Sequence, residues 1–174
     1  EMPTPVPPIT PKGPAVELLP EKKASLKHTT GYYRALAERS LPEPLLSNLR
    51  QPSADSVVST FRQAQLAYEA GKYDRTLDLL AQTDSSRLQS ATFLKAHALF
   101  RLKRFGEAEA LFSRLVEWNS RQFRFQSEWG LLMCRLSDYS HRKKDVRRQL
   151  DEILTKPEHP YFEKAKSLQN ELKE

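Results

Sequence analysis

Tyr73, Phe105 and Tyr139 recur 32 and then 34 residues apart, each at the same place in a pattern of two amphipathic helices joined by a turn. A helical hairpin of that period cannot bury its apolar face alone, so the pattern implies stacked hairpins that share one continuous core. Residues 57 to 139 carry this pattern, and they give the chain an all-α reading.

Aligning the three aromatics brings Ala64, Ala96 and Gly130 into one column, nine residues upstream. Small side chains there allow two helices to pass closely. The next column holds Ala67, Leu99 and Met133, an apolar contact one helical turn further on. Gly71, in the turn before Tyr73, suits a left-handed helix stop. Leu77, Leu79 and Leu80 follow that turn, and Ala108, Leu111, Phe112 and Leu115 follow the second; both sets mark one buried stripe.

These columns resemble the tetratricopeptide repeat, whose marks are a small residue in the first helix, a Gly-x-Tyr turn and an alanine opening the second helix. The middle repeat, 89 to 120, fits best, although Lys103 stands where the turn glycine is usual and the first repeat has Thr76 for the alanine. The third keeps Trp129, Gly130 and Tyr139, and its second helix fits with four inserted residues, so that Val146, Leu150, Ile153 and Leu154 form the stripe. The resemblance implies a right-handed α-α superhelix of about three hairpins over 57–156, with capping helices at both ends.

Length and composition permit one sizeable core and give little reason for two folded domains. The single cysteine, Cys134, excludes an internal disulfide framework and a cysteine zinc site. No run of ~18 apolar residues spans a membrane, and no charged start followed by an apolar stretch marks a signal peptide in these residues. The chain starts at Glu1 ahead of Met2, so upstream sequence is expected.

Seven of the twelve prolines fall in residues 1 to 20, which reads as an extended proline-rich linker. The remainder, 21–174, reads as a single helical repeat domain. Its pre-repeat cap is 21–52, where Gly31 is expected to weaken or break a helix and Leu45, Leu46 and Leu49 to cover the first hairpin. Ser53 is the expected helix cap before the repeats. Phe162, Ala165, Leu168 and Leu172 form the stripe of a C-terminal capping helix over 160–173.

The order Trp129-Gly-Leu-Leu-Met-Cys, then an amphipathic hairpin, then His159-Pro-Tyr-Phe-Glu-Lys-Ala is similar to the ending of small bacterial membrane-anchored tetratricopeptide domains. There the repeats follow one transmembrane helix and a proline-rich linker and lie outside the cytoplasm. That resemblance implies an extracytoplasmic, periplasmic-side module tethered by a segment ahead of this chain.

Catalytic chemistry finds no support. The four histidines lack metal spacing, the five glycines make no phosphate-cradling loop, and a His97–Cys134 pair has no orienting third group. The reading is a non-enzymatic scaffold with no cofactor, no metal and no small-molecule substrate. Its expected partner is a peptide or helix of another protein, held in the concave groove that the first helices line in this family. The groove residues are Phe61, Gln65, Tyr68, Phe93, His97, Phe100, Arg101, Arg124, Ser127, Leu131 and Arg135, mixing aromatics with arginine as binding hot spots do. For Phe61, Phe93 and Phe100 burial against the pre-repeat segment or a neighbouring helix is an equal reading.

The alternative is a basic face. Between 121 and 148 eight basic side chains stand against three acidic ones, and Arg142, Lys143, Lys144, Arg147 and Arg148 are its densest part. Such a face attracts polyanions or anionic membrane surfaces. Nucleic acid is not favoured, because no aromatics interleave for base stacking.

Overall fold

The computed structural model describes residues 29–46, 49, 55–82, 88–119 and 122–173. The proline-rich stretch 1 to 20, the cap at Ser53 and Arg121 lie outside them. Among the described residues there are eight α-helices and no strand. They are α1 Thr30–Ser40, α2 Asp55–Glu69, α3 Tyr73–Ala81, α4 Gln89–Arg101, α5 Phe105–Glu117, α6 Arg124–Leu136, α7 Tyr139–Leu154 and α8 Phe162–Glu171. None is long and apolar enough to cross a membrane.

From α2 to α8 each helix packs against the next in the chain, which makes three successive hairpins and a closing helix. The expected all-α repeat architecture is therefore the observed one. The small column does the work predicted for it: Ala64 and Ala96 are fully buried. Gly130 has a stronger reason to be small, since a Cβ there would stand 2.7 Å from the Phe112 ring. α5 and α6 thus meet with a phenyl ring laid against bare backbone.

The turns obey the same repeat. Gly71 has φ +70, its N–H bonds the Tyr68 carbonyl and the Lys72 N–H reaches back to Ala67, both at 2.9 Å. Lys103 has φ 61 with the equivalent bonds to Phe100 and Leu99, also 2.9 Å. Both turns are Schellman stops, and the second forces a lysine into the left-handed region that glycine occupies freely. The aromatic columns meet across these turns: Tyr68 lies edge-on to Tyr73 and Phe100 edge-on to Phe105, with centroids 5.2 and 5.1 Å apart.

The third hairpin departs from this scheme. Its second helix, α7, is 16 residues long and carries a non-helical Arg142 after its first turn, where the extra residues are absorbed. Beyond the kink Val146, Leu150 and Ile153 are buried, and Leu154 is half-buried.

One expectation for the pre-repeat segment is corrected. Gly31 breaks nothing: it sits in the first turn of α1, which opens on Thr29, whose hydroxyl accepts from the Tyr32 N–H at 3.2 Å. Of the leucines expected to cover the first hairpin, Leu45 and Leu46 lie beside Tyr68 and Tyr73, and the Leu46 carbonyl accepts from Gln65; α1 itself lies elsewhere. It packs chiefly on α6 and touches α7, with the Tyr33 ring against Tyr139 at 4.6 Å and the Trp129 indole donating to the Ser40 carbonyl at 2.9 Å.

Candidate partner-binding site

After α1 the chain runs extended through Leu41-Pro-Glu-Pro-Leu, with Pro42 and Pro44 disfavouring a helix there. This strap crosses the side of the stack formed by α2, α4 and α6. Arg101 of α4 donates to the Glu38 and Leu41 carbonyls, each at 3.4 Å, and ion-pairs with Glu43. The Tyr68 hydroxyl on α2 donates to the Glu43 carboxylate at 2.9 Å, and the Gln65 amide donates to the Leu46 carbonyl at 3.1 Å. The Leu49 N–H donates to the Leu46 carbonyl at 3.1 Å.

The strap corrects the expected open groove. Phe61, Gln65, Tyr68, Phe93, His97, Phe100, Ser127 and Leu131 are all buried. Phe61 and Phe100 are core residues. Gln65, Tyr68 and Arg101 grip the chain's own segment. Arg124 is exposed and pairs with Glu128 of its own helix at 3.0 Å. Leu131 and Arg135 face the α7 side instead, where Arg135 bonds Glu109 and Gln149, each at 3.0 Å. The predicted groove thus divides, with its α6 members drawn into the interface with α7. The physical reason is that an apolar inner face with Trp129 and Phe93 gains more from burial under a nearby segment than from water.

Beside the strap a pocket of about 580 Å³ remains open. Pro42, Pro44, Leu45 and Leu49 form one wall; Phe93, Phe123 and Tyr161 form the other. Phe93 and Phe123 stack at 4.6 Å with 21° between their planes. Tyr161 stacks on Trp129 at 5.0 Å and is held there from behind. Its backbone N–H donates to His159 Nδ1 at 3.1 Å, so His159 carries its proton on Nε2 and donates to Glu128, also at 3.1 Å. Gln122 and Gln126 stand at the rim, and Leu45 is 68% exposed at the mouth.

His97 lines the same pocket at 2% exposure, edge-on to Phe93 at 4.5 Å and to Phe112 at 5.4 Å. Neither ring nitrogen has a hydrogen-bond partner. Burial, with the Arg101 guanidinium adding to it, lowers its pKa to about 3, so the imidazole is neutral at pH 7. The Gln65 carbonyl oxygen, Arg101 Nε and the Ser127 hydroxyl are buried and unpartnered as well. Such atoms are ordinarily rare in a core; Glu38 Oε1 on α1 and the Tyr139 hydroxyl on α7 are two more.

A His97–Cys134 couple does not form, because neither imidazole nitrogen has a partner; burial also pushes the thiol well above the usual range, away from a reactive thiolate. Among the described residues no group of three or more His, Cys, Asp or Glu is arranged for a metal. On the basic face Arg142 bonds Glu109 at 2.6 Å and Asp145 at 3.3 Å, and Arg148 bonds Asp145 at 3.0 Å. Lys143, Lys144 and Arg147 are exposed. Phe123 and Tyr161 escaped the sequence reading, because these aromatic walls belong to no repeat column; the strap fits the reading in which the pre-repeat segment buries the inner aromatics.

Residues 35–115 match the model of the family described as anaphase-promoting complex, cyclosome, subunit 3, which is built of tetratricopeptide-type repeats. The match, over a little less than half of the chain, supports a tetratricopeptide-type helical repeat there, in keeping with the stacked hairpins and the repeated Schellman turns. Comparison with curated proteins and with solved structures yields no significant match.

Proposed function

We propose that this protein is a non-enzymatic scaffold that holds a segment of a partner protein at the mouth between its strap and the helices α4 and α6. The observation that carries this reading is the strap itself. Five residues of extended chain are gripped by Tyr68 and Arg101 of the first helices, which is the way such a surface would hold a second chain. A partner lying beside the strap would extend the same contact surface, with Leu45 and the Phe93–Phe123 stack as its apolar centre. An extracytoplasmic position, reached through the proline-rich residues 1 to 20, belongs to this proposal.

Affinity capture from the native cells tests it, using the wild type beside Leu45→Asp. Leu45 is mostly in water, so the change leaves folding intact while placing a charge at the mouth. A partner captured by the wild type and lost with Leu45→Asp is the expected result. Equal capture by both forms contradicts it.

The second reading, attraction of an anionic surface, is favoured by the exposure of Lys143, Lys144 and Arg147 on one stretch of α7. Neutralising these three should abolish binding to anionic vesicles at low salt; absence of any binding by the wild type removes the idea.

A further inference from the structure

We infer that the strap occupies a binding site for another chain: the surface beneath it, made by Arg101, Tyr68 and Gln65, takes an extended, proline-flanked acidic segment of a partner protein in place of Glu43 and its neighbours. The inference goes beyond the scaffold reading, whose mouth lies beside the strap, and it stands whether or not a partner is held there.

The seated strap specifies the ligand. At its centre the Glu43 carboxylate meets the Arg101 guanidinium and accepts from the Tyr68 hydroxyl at 2.9 Å. Three residues on, the Leu46 carbonyl accepts from the Gln65 amide at 3.1 Å. Three residues of extended chain cover about 10 Å, so the surface reads a carboxylate and a backbone carbonyl that far apart, and a compact anion satisfies only the first. Pro42 and Pro44 hold the chain extended on both sides of the carboxylate, which lowers the entropy lost on docking.

Arg101 is positioned by residues outside the exchange. Its guanidinium donates to the Glu38 and Leu41 carbonyls, each 3.4 Å away. The helix that brings them, α1, is fastened to the third hairpin by Tyr33 on Tyr139 and by Trp129 on the Ser40 carbonyl. Those bonds keep the guanidinium aimed at the site when the strap beyond Leu41 lifts. At 18% exposure the Arg101 side chain is too enclosed to lose a carboxylate and gain only water without cost, so a second carboxylate is the fitting replacement.

The strap is lightly held. The Glu43 side chain is 61% exposed, Leu45 is exposed, and Pro42, Pro44 and Leu46 are half-buried, so little apolar area returns to water when 42–46 lift. An ion pair open to solvent on its acidic side adds little by itself. An incoming segment of the same chemistry remakes each polar contact it breaks, and the exchange is then decided by its concentration and by what its other side chains add. Because Pro42, Pro44 and Leu45 also wall the mouth, an acidic segment bound here works against a partner held there.

The probe is the strap's own sequence as a separate, fluorescently labelled peptide, acetyl-Leu-Pro-Glu-Pro-Leu-Leu-amide, beside the same peptide with glutamine for glutamate. Anisotropy follows binding to the full chain. The glutamate peptide is expected to bind Glu43→Gln at least ten-fold tighter than the wild type, since that variant's own strap competes less, and the exposed position leaves the core alone. The glutamine peptide should bind the same variant at least ten-fold more weakly. Adding Tyr68→Phe, which removes one hydroxyl and keeps the ring, should cancel most of the gain.

No saturable binding to Glu43→Gln overturns the inference, as does equal affinity for wild type and Glu43→Gln, or for the two peptides. Wild-type dimers in sedimentation that Glu43→Gln lacks would make the occupant the strap of a second copy and overturn the partner protein. If Leu45→Asp loses the captured partner while Glu43→Gln binds no peptide, the scaffold reading stands and this inference falls.

Discussion

Tyr33 of α1 lies against Tyr139 of α7, their ring centroids 4.6 Å apart. In the first two hairpins the aromatic that opens the second helix meets another aromatic five residues earlier, Tyr68 with Tyr73 and Phe100 with Phe105. The third hairpin has Cys134 at that earlier position, too small to meet Tyr139 in the same way, and the ring comes from outside the repeat. Tyr33 therefore completes the third hairpin and fixes the start of the strap at once.

Tyr33→Ala should cost about 3 kcal/mol in urea unfolding, as large-to-small changes at buried sites do. Hydrogen exchange should rise along α1 in the same variant, while α2 to α5 remain protected. Uniform loss of protection would mean that α1 is integral to the whole stack.

Much of this fold was legible in the sequence. The columns Ala64, Ala96, Gly130 and Tyr73, Phe105, Tyr139 are enforced locally by helix packing, and local rules are what a sequence displays. The packing of α1 against α6 and α7 was not legible. It depends on a long-range choice between two apolar surfaces, decided by Trp129 and Tyr139, residues far away in the chain. The groove was legible in part: burial of its aromatics under the pre-repeat segment stood as an equal reading, and nothing in the spacing of Gln65, Tyr68, His97 and Arg101 chose between that and an open face. Arg135 failed differently, because its partner Glu109 sits on α5 and only the fold brings the two together.

Gly130→Ala should destabilise the protein by about 1–3 kcal/mol, since the added methyl must displace the Phe112 ring. Pairing it with Phe112→Leu should restore part of the loss. Purely additive costs in that double-mutant cycle would show that the Phe112 contact is not the cause.

Lys103→Gly should stabilise the chain by about 1 kcal/mol, because the left-handed φ of 61 is strained for lysine and free for glycine. The exposed ion pair of Lys103 with Glu38 at 3.4 Å offsets little of this. A lower thermal midpoint would contradict the Schellman assignment of that turn.

His97 gives the stability curve an acid limb. Its folded pKa is about 3, while an unfolded histidine titrates near 6.5, so above that pH both states are neutral and nothing is lost. As the pH falls from 6.5 towards 3, the unfolded chain takes up a proton that the folded one refuses. Stability should then drop by about 1.4 kcal/mol per pH unit on this account. His97→Phe should remove that share of the slope, leaving what the carboxylates contribute, and unchanged slopes for the two proteins would count against the buried neutral imidazole.

The most direct test of the scaffold is photocrosslinking in the native cells with p-benzoylphenylalanine substituted for Leu45, and for Leu66 as the comparison. Both leucines are exposed, at 68% and 49%, but only Leu45 borders the pocket. The account predicts a discrete protein adduct from position 45 that is missing from position 66. The same adducts from both positions, or none from position 45, would contradict a partner held at the mouth beside the strap.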